Sequence, residues 1–309
     1  MVSSVTIAIL PREGFSHARR SLESLYTSSA LAFEVVVIDG GSPWPVSAAL
    51  RREARRRGFR LVRLERFLTP NAARNIALAH AKSDYIVFAD NDLLYANGWL
   101  ERLVETADAT GAALVGPIVC AGDEGEPPFA EVHGARGIGN ITEHAGRRSF
   151  QEHHPFVHQA LAEVQRTVFT EPCELLEFHC LLARRDIFAR IGAFDEELRS
   201  ALEHVDLCFN VRRAGGLVYI EPRAVVHQIL PPELPRGVLS LPYFIHRWKH
   251  ASNHASLQHF CAKWQIPAGD PVIAAHAQWL RDRRWIVVTK FLAWLRRLGL
   301  PIAAGSGDR

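Results

Sequence analysis

The sequence predicts an α/β protein: a mixed, mostly parallel Rossmann-like sheet with helices on both faces, followed by a helical C-terminal extension. Three observations predict it. Apolar β-type runs alternate with helical patterns through the first third of the chain, as parallel strands joined by crossover helices require. Each of those runs delivers a polar cluster at its carboxyl end: Pro11-Arg12-Glu13, Asp39-Gly40 and Asp90-Asn91-Asp92. After His227 the texture changes to prolines and then to aromatic- and histidine-rich helical sequence. The chain thus divides into a core over 1–230 and an extension over 231–309.

The first strand is expected over 5–10, stopped by Pro11, and a helix over 16–26 turns Leu22 and Leu25 inward. A second apolar strand over 33–38 runs into Asp39-Gly40-Gly41-Ser42-Pro43, a strong turn signal. A basic helix over 46–57, a short strand over 59–64 and a helix over 71–81 lead to the central stretch. There the apolar residues 85–89 end abruptly in two carboxylates flanking an amide. A helix over 98–110 buries Trp99, Leu100, Leu103 and Val104, and a strand comes next over 112–119.

From Cys120 to Thr170 the pattern loosens. Gly122 to Pro128 reads as a loop, and 143–158 as a polar, partly mobile stretch rich in histidine (His144, His153, His154, His158) near an acceptor pocket. Its spacings fit no closed metal site. A short helix is expected over 159–168. The run over 174–184, broken by Glu177 and His179, is expected as a strand at the edge of the site. A helical turn over 186–191 stops at Gly192, and a helix opening at Glu203-His204 runs to about Ala214, ended by Gly215-Gly216. Two short strands, over 217–220 and 225–227, close the core. In the tail, Pro231, Pro232 and Pro235 form a linker, residues 243–264 contain helices, and 270–298 is a helix.

Composition narrows the functional classes. A content of 48% hydrophobic and 22% charged residues is that of a globular protein with a sizeable core. The five cysteines are scattered and form no C-x-x-C pair, which argues against a disulfide framework or a cysteine zinc site and fits a reducing cytosol. A net charge of +3 gives no reason to expect nucleic-acid binding; the basic run Arg51-Arg52 and Arg55-Arg56-Arg57 is most simply the solvated face of a helix. No signal-peptide pattern and no run of 18 uncharged apolar residues is seen, so a cytoplasmic protein without a spanning helix is expected.

The strand-end clusters carry the chemistry. Alternation along an extended chain puts Asp90 and Asp92 on one side. Two hard oxygen ligands at the carboxyl end of a buried strand suit Mg²⁺ or Mn²⁺, and ligands bind at that end of open α/β sheets. The plainer alternative is a turn opened by Asp90 and Asn91, with Asp92 capping the next helix. A single crevice lined by Pro11, Arg12, Glu13, Asp39, Arg74, Asp90 and Asn91 would suit a nucleotide. A carboxylate would take a base N–H, an arginine a phosphate, and a metal the diphosphate. Taken singly, Arg74 is also readable as a surface ion-pair residue and Asp39 as a turn residue.

These pieces, in this order, resemble a family 2 glycosyltransferase of the GT-A (nucleotide-diphospho-sugar transferase) fold. The carrying residues are Val35 to Ser42, Ala73-Arg74-Asn75, Phe88 to Asp92, Leu181 to Arg185, Ile191 to Glu196, Glu203 to Leu207 and Ala214-Gly215-Gly216, and the match covers about residues 5–227. The resemblance implies inverting transfer of a sugar from a nucleotide-sugar donor, most simply a UDP-sugar, to a saccharide or lipid-linked acceptor. It implies that Asp39 contacts the base and Arg74 sits near the diphosphate. Asp90 and Asp92 form the D-x-D pair with Asp92 the direct metal ligand, and His227 is a third ligand; a satisfied strand-end histidine is the alternative. The family's usual Glu-Asp pair is here Glu203-His204. Either could deprotonate the acceptor, His204 only if neutral, and a helix N-terminus is expected to lower its proton affinity. The remaining alternative is that Glu203 caps the helix and Asp206 supports it.

The tail has two readings. Trp285, Val288, Leu292 and Leu295 share a helix face, with Phe291 and Trp294 beside it and six basic residues between Arg281 and Arg297. Such a helix docks on the core or on a second subunit, giving a homo-oligomer, or it lies on an anionic membrane surface through 281–298. Two rival functions stand beside transfer. One is a non-catalytic nucleotide-sugar-binding module. The other is a sugar nucleotidyltransferase, for which Pro11-Arg12-Glu13-Gly14-Phe15 lacks the Gly-rich phosphate loop.

Overall fold

The computed structural model describes residues 3–122, 130–230 and 239–297, the last without the side chains of residues 284 and 286–297. The expected loop at Gly122 to Pro128 and the Pro231–Pro235 linker therefore fall largely outside the described residues. So do most side chains of the expected apolar and basic face beyond Arg283.

The first half alternates as its sequence pattern requires: β1 (Val5–Leu10), α1 (Ala18–Thr27), β2 (Glu34–Gly40), α2 (Trp44–Arg57), β3 (Arg60–Leu64), α3 (Pro70–His80), β4 (Tyr85–Asp90), β5 (Leu93–Tyr95), α4 (Trp99–Thr110) and β6 (Leu114–Gly122). Then come β7 (Val132–Gly134), β8 (Ile138–His144), β9 (Arg147–His153), α5 (Leu161–Thr167), β10 (Glu171–Pro172), β11 (Cys180–Arg184), α6 (Ile187–Ile191), α7 (Glu203–Arg213) and β12 (Val218–Ile229). Three helices finish the chain: α8 (Leu241–Arg247), α9 (His250–Trp264) and α10 (Pro271–Arg297).

The main sheet runs β10-β12-β6-β11-β4-β1-β2-β3, with β5 also on β12 and β7 on β6. Pairing is parallel through β4-β1-β2-β3 and between β6 and β12, while β11 lies antiparallel between β4 and β6. Every residue of β1 and β4 is buried because both sheet faces are covered. Ile86 and Phe88 face one apolar cluster and Tyr85, Val87 and Ala89 the other, which is why β4 reads as an unbroken apolar run. The C-terminal helices join the first of these clusters through Trp248, Phe260, Trp264 and Ile273.

Three expectations are corrected. Residues 143–158 are not a loose stretch: β8 and β9 form a hairpin in register from Ile138↔His153 to His144↔Arg147, turned by Ala145 and Gly146 at φ 50° and 73°, the left-handed pair of a two-residue hairpin turn. Phe150 anchors it, buried against Phe209 and Phe260, with its N–H donating to Asp270 Oδ2 at 2.9 Å. The strand expected over 174–184 shortens to Cys180–Arg184, leaving Glu177 and His179 in irregular chain. The two short strands expected after 217 are one strand, β12, because a register shift between Glu221 and Val225 absorbs Pro222.

Candidate active site

The ends of β1, β2 and β4 lie side by side, so the polar clusters converge. Pro11, Phe15, Asp39 and Asn91 also border a small apolar void of about 10 Å³ beneath them, closed by Ile9, Leu22 and Val37. Arg12 bridges the clusters: its Nε lies 3.2 Å from Asp90 Oδ2, and its backbone N–H donates to Asn91 Oδ1 at 3.2 Å. His179 Nδ1 meets the same Asp90 oxygen at 2.9 Å. Burial works to raise the Asp90 pKa, but Arg12 and His179 outweigh it and hold the carboxyl below its usual range.

Asp92 is different. It is fully buried, and neither carboxylate oxygen has a hydrogen-bond partner among the described residues. Burial first, and then the Asp90 charge, push its pKa well up. A buried carboxylate without a partner is costly, and an arriving cation relieves the cost. Gly14 belongs to the same feature: a Cβ there would stand 2.6 Å from Asp92 Cβ and 2.7 Å from Oδ2. The glycine leaves the room that the carboxylate occupies. His227 reaches this corner through β12. The next-but-one residue, Ile229, donates its N–H to the Asp92 carbonyl at 2.9 Å, and His227 itself registers with Leu94. His227 is buried and has a partner of its own. Asp90, Asp92 and His227 are neighbours in the fold, but they do not form a preassembled three-ligand cluster among the described residues.

Asp39 is buried and doubly engaged: Oδ1 accepts the Ser42 N–H at 3.0 Å and Oδ2 accepts from Arg63 Nη1 at 2.6 Å. Arg74 is not a surface residue. It is buried, donates to Asn71 Oδ1 at 2.8 Å and lies 3.6 Å above the Phe178 ring. Burial lowers its pKa to about 10 against the charges of Glu203 and Asp90. Glu13 is already engaged: Arg247 Nη1 and Trp248 Nε1 donate to its two oxygens at 3.1 and 2.7 Å, and Oε2 lies 3.6 Å from Arg12 Nε.

Glu203 is buried and is the first residue of α7. Leu202 before it sits at φ 62°, a left-handed conformation rare for a branched side chain, and no side-chain cap is made at this helix start. Asp206 does not support Glu203; it accepts from Trp264 Nε1 at 2.9 Å and Lys263 Nζ at 3.0 Å. The expectation of a low proton affinity at His204 is reversed. Burial works to lower its pKa, but Glu177, Glu152 and Glu203 together raise it to about 9. Three acidic groups near one imidazole outweigh any helix-end effect. A histidine that keeps its proton at neutral pH is poorly suited to act as a base.

Sequence reasoning misses Glu152 and Arg247, and shows Glu177 and His179 only as interruptions of an apolar run. Glu152 accepts from three histidines: His154 Nε2 at 3.0 Å, His204 Nε2 at 3.2 Å and His276 Nε2 at 2.6 Å. The available signal is the spacing of Glu152 and His154, two apart on an extended chain and so on one side.

Among known proteins, the model of glycosyl transferase family 2 matches residues 12–171. A pre-mycofactocin glycosyltransferase of Mycobacterium tuberculosis is 28% identical over 225 residues, covering 72% of this chain and 42% of that protein; the chain thus spans less than half the length of this relative. Among solved structures, GalNAc-T7 with UDP, GalNAc and Mn²⁺ aligns over 97% of this chain and 59% of that one, with TM-score 0.55 and 17% identity. The mannosyltransferase PcManGT of Pyrobaculum calidifontis, in complex with GDP-Man and Mn²⁺, aligns over 98% and 77%, with TM-score 0.53 and 18% identity. At such identities the likeness to the two structures is one of fold.

Proposed function

The chain belongs to glycosyltransferase family 2 and has the GT-A fold, and from that premise we propose that it moves a sugar, with inversion and with a divalent cation, from a nucleotide-diphosphate sugar to an acceptor hydroxyl. The observation that carries the metal-dependent part is Asp92, a buried carboxylate without a partner beside Gly14. The donor set is oxygen-rich and suits Mn²⁺ or Mg²⁺, with Asp92 as direct ligand, Asp90 beside it and His227 as a third. When bound, such an ion offsets the charge that builds on the diphosphate as the glycosidic bond breaks. The two structural neighbours solved with Mn²⁺ beside UDP or GDP-Man support this reading.

The chain's own residues do the rest. Arg12, fixed by Asp90 and Asn91, and Arg74, fixed by Asn71, present positive charge at the crevice for the diphosphate. Asp39 at the end of β2 takes the base N–H, for which a uracil is the simplest partner. Glu203 accepts the proton of the acceptor hydroxyl as that oxygen attacks the sugar carbon from the side opposite the leaving group. His204, next to it and held by Glu152 at 3.2 Å, supports the start of the helix rather than competing for the proton. The acceptor is a saccharide hydroxyl, free or lipid-linked. No helix of the described residues is long and apolar enough to cross a membrane.

The test is release of nucleoside diphosphate from UDP-, GDP-, dTDP- and CMP-sugars with Mn²⁺, with Mg²⁺ and with chelator. Turnover that needs the cation, with one donor preferred, is expected. Turnover undiminished by chelator would refute metal dependence, and a product of retained configuration would refute inversion.

A further inference from the structure

A second set of groups with metal-ligand chemistry lies away from the D-x-D corner. Glu152, at the end of β9, and His154 come from the hairpin, and His204 comes from the first turn of α7. One ligand atom from each lies within 4.8 Å of the others. Glu152 Oε1 is 3.0 Å from His154 Nε2 and 3.2 Å from His204 Nε2. Ligands at zinc distances of about 2.0–2.1 Å in a tetrahedron stand about 3.3 Å apart, so an ion replacing the protons of these two hydrogen bonds would require little movement. The surroundings are those of a supported site. His154 Nδ1, the nitrogen facing away from Glu152, is buried without a hydrogen-bond partner and lies 3.5 Å from Glu177 Oε1, close enough for a small shift to form the carboxylate–imidazole bond that supports a ligating histidine. The second oxygen of Glu152 is held by His276 Nε2 of α10 at 2.6 Å. The Glu152 side chain is only 6% exposed, so the carboxylate is not a surface charge that happens to have histidines nearby.

We propose that Glu152, His154 and His204 bind a divalent transition-metal ion, zinc by the chemistry of two imidazoles and one carboxylate, at a site separate from the cation of the diphosphate. Glu177 and His276 are its supporting partners. The donor set distinguishes the two ions: imidazole nitrogens select zinc-like cations, whereas the oxygens of Asp90 and Asp92 select Mg²⁺ or Mn²⁺. The ion ties the β8–β9 hairpin and the start of α7 together, and through Glu152 it engages α10. With zinc bound, the His204 Nε2 lone pair is taken by the ion, and the ion itself supplies positive charge beside Glu203. The described residues supply three corners of the tetrahedron, which leaves the fourth for a water or another small oxygen ligand.

The experiment uses the full chain, stripped with chelator and titrated with Zn²⁺ by calorimetry, with bound metal counted by mass spectrometry. Wild-type protein and Asp92→Asn are expected to take up one tightly held zinc per chain, in the presence of excess Mn²⁺ as well. His154→Gln and Glu152→Gln should lose at least about 100-fold in zinc affinity, and Glu177→Gln about 10- to 100-fold. Substituted Co²⁺ should give the visible bands of a four-coordinate ion in wild type and not in His154→Gln. Far-UV circular dichroism establishes that each variant is folded; if Glu152→Gln is not, the partly exposed His154 position decides the matter alone. Zinc held no more tightly by wild type than by folded His154→Gln, or zinc uptake abolished by Asp92→Asn, overturns the proposal. Neither result touches the D-x-D reading, which is tested by donor turnover.

Discussion

The indole N–H of Trp248 donates to the Glu13 carboxylate across 2.7 Å, and 235 positions of chain separate the two. Arg247 binds the other oxygen of the same carboxylate, and Tyr243 donates its hydroxyl to the Pro11 carbonyl at 3.1 Å. The C-terminal helices are therefore fastened to the loop after β1, which also carries Arg12. Removing the Glu13 charge leaves Arg247 buried without its counter-ion. We expect Glu13→Gln to cost about 3–5 kcal/mol and Trp248→Phe, which keeps an aromatic ring but loses the N–H, about 1–3 kcal/mol. Urea unfolding of the two variants and of the double variant checks this. Strictly additive losses would mean that the pair is not coupled.

At Asp92, function and stability are expected to oppose each other. Both oxygens are buried without partners, so the metal-free fold bears an uncompensated group. Asp92→Asn should raise the melting temperature of metal-free protein at neutral pH while abolishing the stabilisation that Mn²⁺ and a nucleoside diphosphate give wild type. Gly14→Ala, which places a methyl 2.6 Å from the Asp92 side chain, should weaken metal-dependent nucleotide binding by tenfold or more by displacing the carboxylate. Differential scanning fluorimetry with and without Mn²⁺ reads both. A destabilised Asp92→Asn that still responds to Mn²⁺ would contradict the assignment.

The two metal corners differ in how far the sequence discloses them. β4 announces itself because both its faces are buried, so the apolar run is continuous and the two aspartates at its end stand out. The ends of β1 and β2 are equally plain. The β8–β9 hairpin is not, since only Phe150 on β9 is buried and its partners Phe209 and Phe260 lie far along the chain. Its turn uses Ala145 before Gly146, not the Asn-Gly pair that marks such turns in a sequence. β12 reads as two strands because Pro222 interrupts the pattern, and a bulge carries the strand through. The partners of Glu13 are hidden for a similar reason. A carboxylate after the first strand suggests a ligand contact, and only the fold reveals that Arg247 and Trp248 already occupy it. Proximity of Glu152 to His204 and His276 depends on separations of 52 and 124 residues, which no local pattern encodes.

Glu203 and His204 are adjacent in sequence, and substitution separates their roles. Glu203→Gln removes the proton acceptor while keeping its shape, so turnover should fall by about 10²–10⁴-fold with the Kd for the nucleotide unchanged. His204→Gln should lower turnover by a smaller factor, because in this proposal Glu203 and not the imidazole takes the acceptor's proton. Single-turnover rates with saturating donor separate the chemical step from binding. A larger loss in His204→Gln than in Glu203→Gln would transfer the base to the histidine.

The bulge in β12 carries the clearest pH-dependent contribution away from both metal corners. Glu221 is fully buried and accepts from Thr106 Oγ1 at 2.7 Å, Thr170 Oγ1 at 2.8 Å, and both the backbone and the guanidinium of Arg223. Burial works to raise its pKa, but these donors outweigh it and bring it to about 2, below the ordinary 4.5. A carboxylate whose folded pKa is depressed binds more protons in the unfolded chain, so its contribution is complete above 4.5 and is lost as pH falls through 2. Glu221→Gln should therefore destabilise the protein at pH 7 by about 2 kcal/mol and reduce the slope of stability against pH between about 4.5 and 2. Urea midpoints measured across that window check the sign. An unchanged acid slope in the variant would place the acid sensitivity in other carboxylates, such as Asp90, which Arg12 and His179 also hold below the usual range.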